Sequence, residues 1–113
     1  MLQSKISGLT CTQTELHYQG SLTLDAQLMA LAGWLPGQKI QVLNVNSGER
    51  FETYLIEGPQ NSGVACLNGP AARLAQVGDV LMVLSYIYME PREASGFHPQ
   101  LVYVDAQNHP IKS

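Results

Sequence analysis

HYQGSLTLD, residues 17–25, sets a Gly-Ser pair directly before an alternating run. Ser21, Leu22, Thr23 and Leu24 alternate polar with apolar, the period of two of a half-buried strand. Asp25 stands where a helix N-cap belongs. Leu28, Met29, Leu31 and Ala32 then follow at helical spacing, and Gly33 ends the run. The Gly20-Ser21 pair just before this strand has two readings. It is a turn feeding the strand, or it is a bond that the serine hydroxyl opens by attacking the carbonyl ahead of it.

Outward from that stretch, period-two patterns dominate. Residues 2–6 read as a short strand and residues 10–16 as a second, polar one. QKIQVLNV and RFETYLI are alternating runs joined by Asn46-Ser47-Gly48-Glu49, a hairpin signal. Residues 63–67 make another strand, followed by Asn68-Gly69-Pro70 and a single helical turn over residues 71–74. Val77-Gly78-Asp79 is a turn before DVLMVLSYIYM, the longest apolar run, which is expected to be the central strand. PREASG reads as one helical turn, residues 100–105 as a last strand, and the tail from Asn108 as loose. Many short strands with two small helices predict a single mostly-β domain closed into a small barrel.

The 113 residues suit one domain with one core. Charged residues are only 13% of the chain, against about 25% in ordinary globular domains, so much of the surface is expected to be covered by copies of the same chain. A net charge of −3 offers no basic footprint for nucleic acid. The start, MLQSKISGLTCTQTE, has no long apolar stretch, so neither a signal peptide nor a membrane span is expected and a cytoplasmic location is. Cys11 and Cys66 lack C-x-x-C or metal-ligand spacing; they read as reduced structural thiols, with no metal site.

Five pieces in register from Met1 to about Ile111 carry a resemblance: MLQSKI, ELHYQGS, NVNSGERFETY, CLNGPAARLAQVGD and a late VYVD. In order and spacing the chain resembles the pyruvoyl-dependent aspartate 1-decarboxylases. The resemblance implies a double-psi β-barrel, a homotetramer with sites between subunits, and conversion of L-aspartate to β-alanine and carbon dioxide on the way to pantothenate. It implies self-cleavage between Gly20 and Ser21 into a β chain of residues 1–20 and an α chain of residues 21–113. Ser21 would become the pyruvoyl cofactor that holds substrate as a Schiff base. Glycine before the serine admits the strained backbone that such an attack needs.

The same resemblance assigns roles to further positions. Thr53 matches the threonine whose hydroxyl steadies the oxyanion of the acyl shift; as a residue alone, it is an ordinary hairpin threonine. Tyr54 matches the proton donor to the α-carbon, and its plain reading is a buried strand tyrosine. As neighbours on a strand the two should face opposite ways unless the strand bulges. Lys5 and Arg50 match the cations that hold the substrate carboxylates, a guanidinium fork meeting one of them bidentately. Tyr18 matches a tyrosine lining the site, although core packing explains it nearly as well. Asn68-Gly69-Pro70-Ala71 matches a substrate-binding loop, and otherwise reads as a plain strand-to-helix turn.

Three positions depart from the family pattern. Ser7 stands where a histidine is usual, Pro70 where an alanine is usual, and Leu43 where some members carry tryptophan. Serine cannot titrate near neutral pH, and Pro70 has no N–H to donate. His17 lies within the cleavage stretch, while His98 and His109 fall in late, exposed loops. The departures leave a second function open: an unprocessed homologue that serves as a small-molecule-binding or regulatory barrel.

Overall fold

A computed structural model of the protein describes residues 1–111. Nine strands are joined in the order β2-β6-β3-β5-β4-β7-β1-β8-β9. They are β1 Leu2–Thr10, β2 Gln13–Glu15, β3 Ser21–Asp25, β4 Lys39–Asn44, β5 Arg50–Gly58, β6 Ala65–Asn68, β7 Val80–Tyr86, β8 Gln100–Val104 and β9 Pro110–Ile111. β1 and β2 follow each other in the chain yet lie far apart in this order, so their connection draws the sheet round into a barrel. Thr12 N–H donates to the Ala65 carbonyl at that closure and Cys11 N–H to the Asp79 carbonyl. Most pairs are antiparallel; β3 with β5, β1 with β8 and β2 with β6 are parallel, joining strands distant in sequence. The chain is thus the small, mostly-β barrel that its pattern implied.

The core follows the alternation. Ile6, Leu9, Leu22, Leu24, Leu28, Val42, Leu67, Leu81 and Val83 are fully buried, from five strands and one helix. That helix, α1, spans Ala26–Ala32; the Asp25 carboxylate accepts the Gln27 N–H at its start and Gly33 closes it at φ 75°, in the left-handed region. Asp25 is also fully enclosed and takes N–H bonds from Asn61 and Gly63, so one residue caps the helix and anchors the loop ahead of β6. Beside α1, Trp34 donates its indole N–H to Ser85 Oγ at 2.7 Å. A short second helix, α2, covers Pro91–Ala94.

Three expectations need correction. The strand read over residues 10–16 is broken, because Cys11 and Thr12 turn aside to bond Asp79 and Ala65, and only Gln13–Glu15 pairs again. The long apolar run is an interior strand between β4 and β1 but stops at Tyr86; Tyr86, Ile87 and Tyr88 are exposed beyond it. From Asn108 to Ile111 the tail is not loose; residues 112–113 of that expectation lie outside the described residues. Asn108 is fully buried and β9 pairs with β8. The Asn108 side chain accepts the Thr10 N–H and donates to the carbonyls of Thr10 and Gly63. No described helix is long and apolar enough to cross a membrane.

Candidate active site

Ser21 opens β3, and its neighbours follow from register. β3 and β6 run antiparallel with Ser21 opposite Asn68 and Thr23 opposite Cys66. Period two puts 21 with 23, and 66 with 68, on one face, so the four side chains form a square. Asn68 Nδ2 donates to Ser21 Oγ and to Thr23 Oγ1, each at 2.9 Å. Cys66 Sγ donates to Asn68 Oδ1 at 3.3 Å. The Ser21 hydroxyl itself donates to the Gln19 carbonyl at 3.3 Å, which folds the oxygen back over the Gly20 peptide. Ser21 is fully buried.

The loop after β6 presses on the same bond. Gly69 has φ +64°, and a methyl carbon built on it would stand 2.7 Å from the Tyr18 carbonyl oxygen and 2.8 Å from the Gly20 nitrogen. Only glycine permits that approach. Pro70 lies next to it, its Cδ 3.5 Å from where a Gly20 side chain would begin. Pro70 stands in the first turn of the 3-10 helix Gly69–Leu74, where an N–H has no helical partner to lose. The Ala-to-Pro departure therefore costs no internal bond. Ala71 is buried in the same turn.

Thr53 and Tyr54 do face opposite ways, because β5 pairs with β4 without a break from Arg50 to Tyr54. Leu22 pairs with Leu55 in the parallel β3–β5 ladder. Continued back, that register sets Ser21 beside Tyr54 and Gly20 beside Thr53. Thr53 shares the core-side face with Leu55 and is half-buried, and its hydroxyl makes no hydrogen bond among the described residues. Tyr54 lies on the outer face with Arg50 and is 36% exposed, not the buried tyrosine of the plain reading. Tyr18 is 56% exposed, so core packing does not account for it either.

Lys5 and Arg50 do not meet. Lys5 sits opposite Leu84, Leu84 opposite Gln41, and Gln41 opposite Glu52, one row across four strands of the outer face. Three strand spacings, about 14 Å, separate Lys5 from β5 along the sheet. Arg50 instead donates to Gln41 Oε1 at 2.8 Å, and Lys39 pairs with Glu52 at 2.9 Å. Ser7 shares the Lys5 face, opposite Tyr103, and Leu43 lies opposite Arg50. A cavity of about 390 Å³ opens on this side between Lys39, Gln41, Glu52 and Tyr88, and reaches none of Ser21, Lys5 and Arg50. His17, His98 and His109 are all exposed.

Thr23 and Cys66 are site neighbours that the motifs alone did not single out. Thr23 was within reach of sequence reasoning, two residues after Ser21 and so on its face; Cys66 needed the β3–β6 register. Burial pushes the Cys66 thiol up, with the Glu15 charge adding to it. Burial likewise raises Cys11. Both thiols are free, as their spacing suggested.

Chemically, the cluster holds a buried hydroxyl against a glycine peptide, with an amide donor on its oxygen. Comparison with known proteins gives the family. The sequence model described as aspartate decarboxylase matches residues 1–111. An aspartate 1-decarboxylase of Thermoanaerobacter pseudethanolicus is 50% identical over 111 residues, 98% of this chain and 95% of that protein. One from Pelotomaculum thermopropionicum is 52% identical, covering 96% and 82% of the two chains. One from Cytophaga hutchinsonii is 49% identical, covering 98% and 96%. The chain belongs to the aspartate decarboxylase family.

Proposed function

We propose that this protein converts L-aspartate to β-alanine and carbon dioxide, in the cytoplasm and toward pantothenate, after cutting its own Gly20–Ser21 bond to make a pyruvoyl cofactor. The observation that carries the reading is the buried Ser21 hydroxyl, held by Asn68 and turned back over the Gly20 peptide. Gly69 adds a cradle at that peptide which any side chain would fill. These residues fit a serine that is to become a carbonyl group.

In the cut, Ser21 Oγ bonds to the Gly20 carbonyl carbon, the C–N bond breaks, and the hydroxyl proton passes to nitrogen, leaving an ester. Thr53, in register with Gly20, donates to the oxyanion formed on the way; one such donor is worth roughly 2.7–4 kcal/mol of barrier. Loss of the Ser21 α-proton and cleavage of the Cβ–Oγ bond then free Gly20 as a carboxylate. Hydrolysis of the remaining dehydroalanine releases ammonia.

The pyruvoyl carbonyl supplies an electron sink for the bond to the departing carbon dioxide. Arg50 and Lys5 bind the two substrate carboxylates, and Tyr54, beside Ser21 by register, returns a proton to the α-carbon. The spacing of Lys5 from Arg50 favours a site completed by a neighbouring copy, as does a surface on which Leu35, Val77, Tyr86 and Tyr88 lie open. A homotetramer satisfies both. Ser21 is sealed in the uncut barrel, so substrate reaches it only after cleavage.

The test supplies L-aspartate to the purified, cleaved oligomer and measures both products. Carbon dioxide and β-alanine should appear one for one, and Arg50→Gln should raise KM. A cleaved oligomer that consumes no L-aspartate contradicts the proposal. An unprocessed binding barrel, the alternative, would instead remain a single uncut chain.

A further inference from the structure

Asn68 faces three polar neighbours, and two of them are indifferent to which end of its amide they meet. The hydroxyls of Ser21 and Thr23 both donate and accept, so either flip of the carboxamide could bond to them. The Cys66 sulfur is different: it donates weakly and accepts poorly, so it favours the carbonyl end. With Oδ1 on the Cys66 thiol, Nδ2 is left for Ser21 and Thr23. Thr23 is itself held in place. A methyl carbon built on Gly58 would come 3.1 Å from Thr23 Cγ2, so that methyl rests against bare glycine backbone while Oγ1 meets Asn68.

We propose that Cys66 and Thr23 are positioning residues for self-cleavage: Cys66 selects which end of the Asn68 carboxamide faces Ser21, and Thr23, accepting the second Nδ2 hydrogen, holds that end still so that an N–H is aimed at Ser21 Oγ. The inference rests on reading Gly20–Ser21 as the scissile bond and extends it to residues that never touch the reacting atoms. The aim matters because Ser21 Oγ changes role. As nucleophile it bonds to the Gly20 carbonyl carbon and sends its proton to the departing nitrogen. As leaving group it parts from Cβ as the α-proton is removed, and carries the electron pair away in the Gly20 carboxylate. A fixed N–H pointing at that oxygen stabilises the charge gathering there. The flipped amide would put a carbonyl oxygen against the same charge. A thiol raised by burial stays protonated at neutral pH and keeps donating.

The expected signature is slow elimination with the ester still forming. Freshly made precursor of the wild type, Cys66→Ala, Cys66→Ser, Thr23→Val and Thr23→Ser is followed by intact mass, with and without hydroxylamine. Hydroxylamine cleaves an ester to leave a Gly20 hydroxamate and a free Ser21 amino terminus. Cys66→Ala and Thr23→Val should mature about five- to tenfold more slowly, the size expected of one lost hydrogen bond, and show more hydroxylamine-sensitive chain. Cys66→Ser and Thr23→Ser keep the bonding and should stay within about twofold of wild type. A purely structural role would not restore the rate with a hydroxyl in place of the thiol. If Cys66→Ala does not fold, the Thr23 pair makes the same comparison. Wild-type maturation of Cys66→Ala or Thr23→Val, or equal slowing in their serine counterparts, overturns the proposal while wild type still cleaves. A wild type that never cleaves overturns it together with the reading beneath it.

Discussion

Gly69 and Gly20 meet backbone to backbone: a methyl carbon built on Gly69 would lie 2.9 Å from the Gly20 Cα, and Gly69 holds φ +64°. Glycine is needed there twice, once for the dihedral and once for the space. Gly69→Ala should lose roughly 1–3 kcal/mol to the strained dihedral alone, and should displace the Gly20 peptide from Ser21. Urea unfolding would register the first effect. A mass time course would register the second as nearly complete loss of cleavage, and normal cleavage would show that the contact does not position the bond.

Thr53→Val keeps the shape of a half-buried side chain and removes a hydroxyl that makes no hydrogen bond among the described residues. Folding and assembly should therefore survive, with stability changed by less than about 1 kcal/mol. Cleavage should slow by about 10²–10³-fold if the hydroxyl serves only the oxyanion. Maturation at the wild-type rate would assign that donor to another group.

Tyr54→Phe separates maturation from turnover. The phenol oxygen is on the outer face and accepts or donates no hydrogen bond among the described residues, so packing should be preserved. The variant should cut Gly20–Ser21 normally and couple to aspartate on borohydride reduction. It should yield β-alanine about 10²–10⁴-fold more slowly, the loss expected of a positioned acid. Full β-alanine output from the cleaved variant would place the proton donor elsewhere.

Asn108 tests the closure of the barrel. Its side chain bonds Thr10 on both backbone groups and the Gly63 carbonyl, and is fully buried. Asn108→Ala leaves those groups unpaired and should cost about 2–4 kcal/mol, at 1–3 kcal/mol for each buried group left without a partner and with partial relaxation. A shift in the urea midpoint with an unchanged slope is the expected result; an unchanged midpoint would mean that water replaces the amide at no cost.

Asn108 also marks where the sequence stops being legible. Local signals transfer well: Asp25 as a cap, Gly33 as a stop, the hairpin around Gly48, and the opposed faces of Thr53 and Tyr54 all follow from neighbours in the chain. The buried tail does not, because its one decisive residue bonds to Thr10 and Gly63, far away in sequence, and leaves no periodic trace. The break at Cys11 and Thr12 has the same cause, since their partners Asp79 and Ala65 lie in other strands. At the candidate site, the motif singled out Ser21, Asn68 and Gly69, which the fold brings together. The clamp of Cys66 and Thr23 on Asn68 depends on strand register, and so does the separation of Lys5 from Arg50.

Denaturing intact-mass measurement of the purified protein reads the state of the Gly20–Ser21 bond itself. Two species are expected: residues 1–20 ending at Gly20, and a larger fragment beginning at residue 21. The larger should be lighter by one ammonia than simple hydrolysis would leave it, and closed to amino-terminal sequencing. A single full-length mass that persists through prolonged incubation at raised temperature would mean that the protein does not cut itself and carries no pyruvoyl group.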